Sequence, residues 1–136
     1  MILVDTSVWI DYFNGNQNRE TDMLDNALIA GTVAIGDLIL LEILQGFKHK
    51  KDYTIAKETL ITLDQYEMLG HSMVFECADN YRVLRKKGIT ISKTADVIIA
   101  SFCIKNKLPL LFLDRDFIPF VNDLGLISAL NSAQAQ

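Results

Sequence analysis

Cysteine, histidine and surplus positive charge are all scarce in this chain, and each scarcity removes a class of function. Two cysteines in 136 residues, Cys77 and Cys103, form no CxxC pair and lie inside apolar helical patterns, so a disulfide framework is excluded and packed, reduced thiols are expected. The two histidines, His49 and His71, have no zinc-like spacing. Thirteen Lys and Arg against seventeen Asp and Glu give a net charge of −4, which argues against gripping nucleic acid by bulk positive charge. No apolar run approaches the roughly 18 to 20 residues of a membrane span, and the start lacks the basic segment and cleavage site of a signal peptide. A cytoplasmic protein without membrane contact is the expectation.

What is present is a 50% hydrophobic chain, sufficient for the core of a single domain. Residues 1–130 read as that domain and 131–136 as a polar, frayed tail. Ile2, Leu3 and Val4 form a short buried strand that stops at Asp5, with Thr6 and Ser7 placed to cap a helix from Val8 to Phe13. A helix follows at 21–30, a strand at 32–35, and a helix at 38–47 that Asp37 can cap after a tight turn at Gly36. Further helices are expected at 53–63, 72–87 and 95–107, and strands at 66–70, 110–113 and 126–129, with a helical turn at 117–121. Gly88 stops the helix before it, whose last turn carries Arg85, Lys86 and Lys87 where cations suit the helix dipole. Strands alternating with helices predict parallel βαβ units, right-handed crossovers and an α/β fold, a three-layer α/β/α sandwich on a mostly parallel sheet.

Five acids sit in apolar rather than charged surroundings: Asp5 after Ile-Leu-Val, Glu42 within Leu40-Leu41-Glu42-Ile43-Leu44, Asp96 before Val-Ile-Ile, and Asp114 and Asp116 after Leu110–Leu113. Buried acids need a partner or a metal. Asp5 and Asp114 end strands, whereas Glu42 and Asp96 lie early in helices; in a parallel sheet both positions face the rim where ligands bind. Glu42, about five residues into its helix, is roughly 7.5 Å from that rim. Carboxylates brought together repel by about 4 kcal/mol per pair at 4 Å in an effective dielectric of 20, so a cation is required. Hard oxygen donors select Mg²⁺ or Mn²⁺, and such an ion on a few carboxylates suits phosphodiester hydrolysis. Taken singly, Asp96 could be a first-turn acid held by backbone amides, and Asp5 or Asp114 could pair with Arg115; joint placement is what points to a site.

At these residues the sequence resembles the PIN-domain ribonucleases, and within them the VapC-type toxins of bacterial toxin–antitoxin pairs. The likeness covers almost the whole chain: Ile2 to Asp11 resembles the opening strand and first acid, Leu41-Glu-Ile-Leu-Gln-Gly46 the helix with the second, Asp96-Val-Ile-Ile-Ala100 the third, and Leu111-Phe-Leu-Asp114-Arg-Asp116-Phe117 the fourth. One departure is Phe112, where the family often has Thr or Ser. The resemblance implies a metal-dependent endoribonuclease acting on RNA, a homodimer, and a small antitoxin of VapB type that occupies the groove. It carries Asp5, Glu42, Asp96 and Asp114 over as catalytic metal ligands, with Asp116 as an accessory ligand. Thr6 either places a hydroxyl near the metal or caps its helix. On an acidic protein, RNA-backbone contacts need local positive charge, for which Lys48, Lys50, Lys51, Arg82, Arg85 and Lys86 are the candidates, with solvated charge as the alternative.

A haloacid-dehalogenase-type phosphatase needs a second Asp two positions after the first, and residue 7 is Ser. A receiver-like signalling domain needs a Lys after a later strand, which 110–116 does not supply. A catalytically silent module that merely binds metal or nucleic acid stays open.

Overall fold

The computed structural model describes residues 1–134. Its sheet is built from β1 (Ile2–Val4), β2 (Val33–Gly36), β3 (Asp64–Tyr66) and β4 (Leu110–Leu111) in the order β3-β2-β1-β4, with every pairing parallel. Leu3 sits opposite Ala34 on one side and Leu110 on the other, so β1 is a central strand. Being covered on both faces, β1, β2 and β4 read as unbroken apolar runs. Leu3, Val4, Ala34, Ile35, Leu110 and Leu111 are accordingly buried.

The helices are α1 (Thr6–Phe13), α2 (Arg19–Ala30), α3 (Asp37–Gln45), α4 (Lys50–Leu60), α5 (His71–Lys86), α6 (Thr94–Asn106), α7 (Ile118–Leu124) and α8 (Ala129–Gln134), with a 3₁₀ turn at Arg115–Phe117. The connections β1-α1-α2-β2 and β2-α3-α4-β3 step along the sheet in one direction, whereas β3-α5-α6-β4 steps back across it. Right-handed crossovers therefore put α1–α4 on one face and α5–α6 on the other. Packing follows this division, α1 against α2 and α3, and α5 against α6 and α7. The expected three-layer α/β/α sandwich is thus the observed fold. The connections diverge between β1 and β4, which opens a crevice beyond the carboxyl ends of those two strands. Asp5 and Asp114 are placed there.

Several boundaries differ from expectation for identifiable reasons. Thr6 and Ser7 do not cap α1. Asp5 keeps the extended backbone of the strand (φ −70°, ψ 156°) and is itself the cap, its carboxylate accepting from the Ser7 amide at 3.4 Å and the Ser7 hydroxyl at 2.9 Å. The second helix begins earlier than residue 21 because Asn18 and Thr21 form a reciprocal capping box. The strand expected at 66–70 lies instead at Asp64–Tyr66, an exposed, polar edge strand that is recruited by its ladder with β2 and not by hydrophobicity. The last strand, expected at 126–129, is reduced to one parallel bridge, Leu110 to Ser128. Part of the stretch read as a tail belongs to α8, and 135–136 lie outside the described residues.

Cys77 and Cys103 are buried free thiols as expected. Trp9 is fully buried, stacked on Phe13 at 5.8 Å between ring centroids. Among the described residues no helix is long and apolar enough to cross a membrane.

Gly36 is required for a reason other than the expected turn. Its backbone is extended (φ −94°, ψ 151°) and open to any residue, but an added Cβ would run into the side chain of Met68, which is fully buried. That close approach lets the 67–70 connection cross the end of β2, where the Met68 amide donates to Asp37 Oδ1 at 3.0 Å. Asp37 also accepts from the Leu38 amide at 2.8 Å, and Gly36, not Asp37, is the cap residue. Gly36→Ala is expected to destabilise by about 1–3 kcal/mol through overpacking. In urea denaturation the double variant Gly36→Ala/Met68→Ala should be destabilised by less than the sum of the two single effects, because the collision partner is gone.

Candidate metal centre

Five acids reach the crevice from four directions. Asp5 ends β1, Glu42 is the sixth residue of α3, Asp96 the third of α6, and Asp114 and Asp116 follow β4. Asp114 Oδ1 accepts from the Asp116 amide at 2.9 Å, which winds the 3₁₀ turn and carries the Asp116 carboxylate back toward its neighbour. As a result Asp96, Asp114 and Asp116 each offer an oxygen within 4.8 Å of the others. Asp5 and Glu42 are not members of that closest group. Asp5 is held by Ser7, and Glu42 Oε1 accepts from the Thr6 hydroxyl at 2.9 Å. Thr6 therefore does not cap α1; its hydroxyl orients Glu42.

The electrostatics mark the same place. Asp96 is 6% exposed, and its carboxyl is pushed up to about 7 by burial first and then by the charges of Asp5 and Asp114, with Asp116 adding to them and Lys93 opposing. Its Oδ2 is buried without a hydrogen-bond partner. Asp5, 5% exposed, is also raised by burial and by Glu42, against hydrogen bonds from Ser7 and Thr6 that lower it. Burial, together with the charge of Asp5, pushes the Cys103 thiol up, so it stays protonated and unreactive. A buried Asp96 oxygen without a donor, with three carboxylates each offering an oxygen within 4.8 Å of the others, fits a divalent cation.

Sequence reading missed two residues. Ser7 carries its signal only once Asp5 is recognised as a cap. Lys93, assigned to a plain connection, places Nζ 3.6 Å from Asp114 Oδ2, and Asp96 and Asp114 raise its own pKa. A lysine three residues before the Asp96 of a helix start was the available clue. Arg115 makes no ion pair among the described residues, so the alternative pairing of Asp5 or Asp114 with it is not observed.

The basic candidates fall in two places. Lys48 precedes α4 and Lys50 and Lys51 open it, shortly after Glu42 and far in sequence from Asp96, Asp114 and Asp116. Arg82, Arg85 and Lys86 are on α5, which runs antiparallel to α6: Glu76 pairs with Lys105, and Asn80 with Ser101 at 3.0 Å. The basic end of α5 thus lies beside the end of α6 that bears Asp96. Arg82 and Arg85 line a groove with Thr94 and Val97, and Arg85 stacks over Tyr81 at 5.5 Å. Lys87 is instead tied to Asp123 at 3.1 Å.

The chain and its fold have known counterparts. Residues 2–120 match the PIN domain family, so the chain belongs to that family. It is 27% identical over 119 residues, 86% of this chain and 89% of the other, to VapC ribonuclease Mb1587 of Mycobacterium bovis, and equally to ribonuclease VapC11 of Mycobacterium tuberculosis. Its fold resembles the crystal structure of VapBC2 from Rickettsia felis bound to a DNA fragment from their promoter (TM-score 0.73, 20% identity, 94% of this chain and 97% of that one). It also resembles FitAcB from Neisseria gonorrhoeae (TM-score 0.69, 18% identity, 96% and 98%).

A carboxyl whose folded pKa lies above its ordinary 3.8 holds its proton more tightly folded than unfolded, so it favours folding in acid and withdraws that support as pH rises to about 7. In EDTA, Asp96→Asn should therefore melt higher than the unsubstituted protein at pH 8, by about 4 °C or more, which corresponds to roughly 1 kcal/mol. The difference should narrow toward pH 4. Thermal melts across pH check this, and an Asp96→Asn protein that melts lower at pH 8 would contradict the repulsion.

Proposed function

We propose that this protein is a Mg²⁺- or Mn²⁺-dependent endoribonuclease that hydrolyses RNA phosphodiester bonds as the toxin of a toxin–antitoxin pair. The observation that carries the reading is the clustering of Asp96, Asp114 and Asp116 at the β1/β4 switch point, with an Asp96 oxygen buried and without a donor. The two ribonuclease relatives support it, each matched over most of its length.

In this reading Asp96, Asp114 and Asp116 seat the ion, and Asp5 and Glu42 complete its ligand set. When bound, a divalent ion there neutralises charge developing on the phosphate and lowers the pKa of the attacking water. Thr6 and Ser7 fix the Glu42 and Asp5 carboxylates, so that no rotamer search precedes reaction. Arg82, Arg85 and Lys86 take the RNA backbone alongside Asp96, with Lys48, Lys50 and Lys51 forming a second, separate contact. The reaction takes place in the cytoplasm.

Partners follow from surface chemistry. The crevice accepts an Arg or Lys side chain of a VapB-like antitoxin by charge-assisted hydrogen bonds, and the cleft between α1 and α3 lined by Ile10, Phe13, Ile43 and Phe47 takes its apolar residues. Trp9 belongs to the core and offers nothing to that contact. The structures of VapBC2 and of a toxin–antitoxin complex from Klebsiella pneumoniae (TM-score 0.61, 23% identity, 94% of this chain and 97% of that one) support a protein partner. For the homodimer, the matching surface is the apolar cleft lined by Leu38, Leu41, Leu69 and Ile98, with Leu41 and Leu69 exposed along it.

Asp5→Asn and Asp96→Asn are each expected to lower Mg²⁺-dependent RNA cleavage by more than about 100-fold, beyond the range of changes to residues behind the ligands, while circular dichroism stays native. Full activity of Asp96→Asn would refute the site, and no cleavage of any RNA by the unsubstituted protein would leave a silent binding module. Expression alone should arrest growth, and co-expression with the adjacent small open reading frame should relieve it. Harmless expression of an active nuclease would refute the toxin role alone.

Neutralising Arg82, Arg85 and Lys86 should weaken RNA binding about equally across sequences and flatten its salt dependence by roughly one unit of slope for each phosphate that is no longer neutralised. An unchanged slope would show that these are solvated charges.

A further inference from the structure

Lys93 stands where local structure does not favour it. It occupies the N-cap of α6, a position at which Ser, Thr, Asp or Asn would satisfy a first-turn amide, and no side-chain cap bond is made there. Its charge also has the wrong sign for the positive end of the helix dipole. What offsets both is the acid cluster: Nζ lies 3.6 Å from Asp114 Oδ2, and Asp114 shares its space with Asp96 and Asp116. Among the described residues no other ion pair reaches these three acids.

The pairing is built to be given up. At 3.6 Å it is too long for a hydrogen bond, and the Lys93 side chain is 64% exposed, so the ammonium can leave for solvent without disturbing the core. It also leaves the buried Asp96 Oδ2 unpartnered, so the lysine neutralises part of the cluster without filling it.

We propose that Lys93 is an internal counter-cation that exchanges with the divalent ion, neutralising the Asp96, Asp114 and Asp116 cluster in the metal-free protein and withdrawing when the ion enters. This rests on the reading of those acids as a metal centre. The device lets the chain fold with three acids in one crevice before metal is available, and it sets the ion's affinity below what the acids alone would give. An ion that binds must overcome the lysine's attraction to Asp114, so removing that charge strengthens binding.

Calorimetric titration of Mn²⁺ into EDTA-stripped, dialysed protein at low salt tests this without an RNA assay. Lys93→Met and Lys93→Gln should each bind Mn²⁺ about three- to tenfold more tightly, the scale expected of an exposed charge interaction with a divalent ion. Both should melt lower than the unsubstituted protein in the metal-free state, Lys93→Arg should stay near the starting affinity, and added KCl should close the gap. Unchanged or weaker Mn²⁺ binding by both neutral variants would overturn the exchange while leaving the metal centre standing, even if their metal-free melting point falls. Absence of Mn²⁺ binding by the unsubstituted protein would overturn both.

Discussion

Repulsion among carboxylates at one rim of the sheet is the constraint around which the rest of the molecule is arranged. Two of the five acids, Asp5 and Asp96, are nearly closed off from water, where each ionised carboxylate loses solvation and feels its neighbours more strongly than it would in solvent. Such a cluster persists only because the surrounding structure dictates it. Asp5 is fixed by being both the end of a central strand and the cap of α1, Asp96 by the first turn of a buried helix, and Asp114 by a cap that winds the turn after β4. The same placements that hold the chain together aim its charge at one point, so stability is given up locally in exchange for a site.

Much of this was legible in the chain because the strands are short, apolar and buried on both faces, and because each ends at an acid. Ile2–Val4 and Leu110–Leu111 could not be mistaken for exposed helix, and the alternation of strands and helices determined the parallel architecture and hence the common rim. What escaped had weak local signals. Asp64–Tyr66 has no apolar pattern and is a strand only by pairing with β2. The segment near Ser128 looks like a strand but finds partner backbone for a single bridge, since β4 itself is two residues long. Asp5 as a cap was hidden by Thr6 and Ser7, which are better-known cap residues but lie inside the helix.

The site was legible as a set of acids and illegible as geometry. Period and spacing identify which acids face the rim, but not that Asp116 joins Asp96 and Asp114 in the closest group, nor that Asp5 and Glu42 are each held by a hydroxyl, of Ser7 and Thr6 respectively. That distinction arises from the 3₁₀ turn, a feature of three residues. Lys93 was missed because the connection before a helix is read for turn residues and not for charge, and its meaning depends on Asp114 and Asp116, far along the chain, as well as on Asp96.

The central claim is that the three clustered acids are the seat of one divalent ion. Crystals of the protein grown with Mn²⁺ and measured near the manganese absorption edge address it directly. An anomalous peak bonded to oxygens of Asp96, Asp114 and Asp116 is the predicted result. Full occupancy of Mn²⁺ elsewhere on the molecule, with that crevice empty of the ion, would contradict the account.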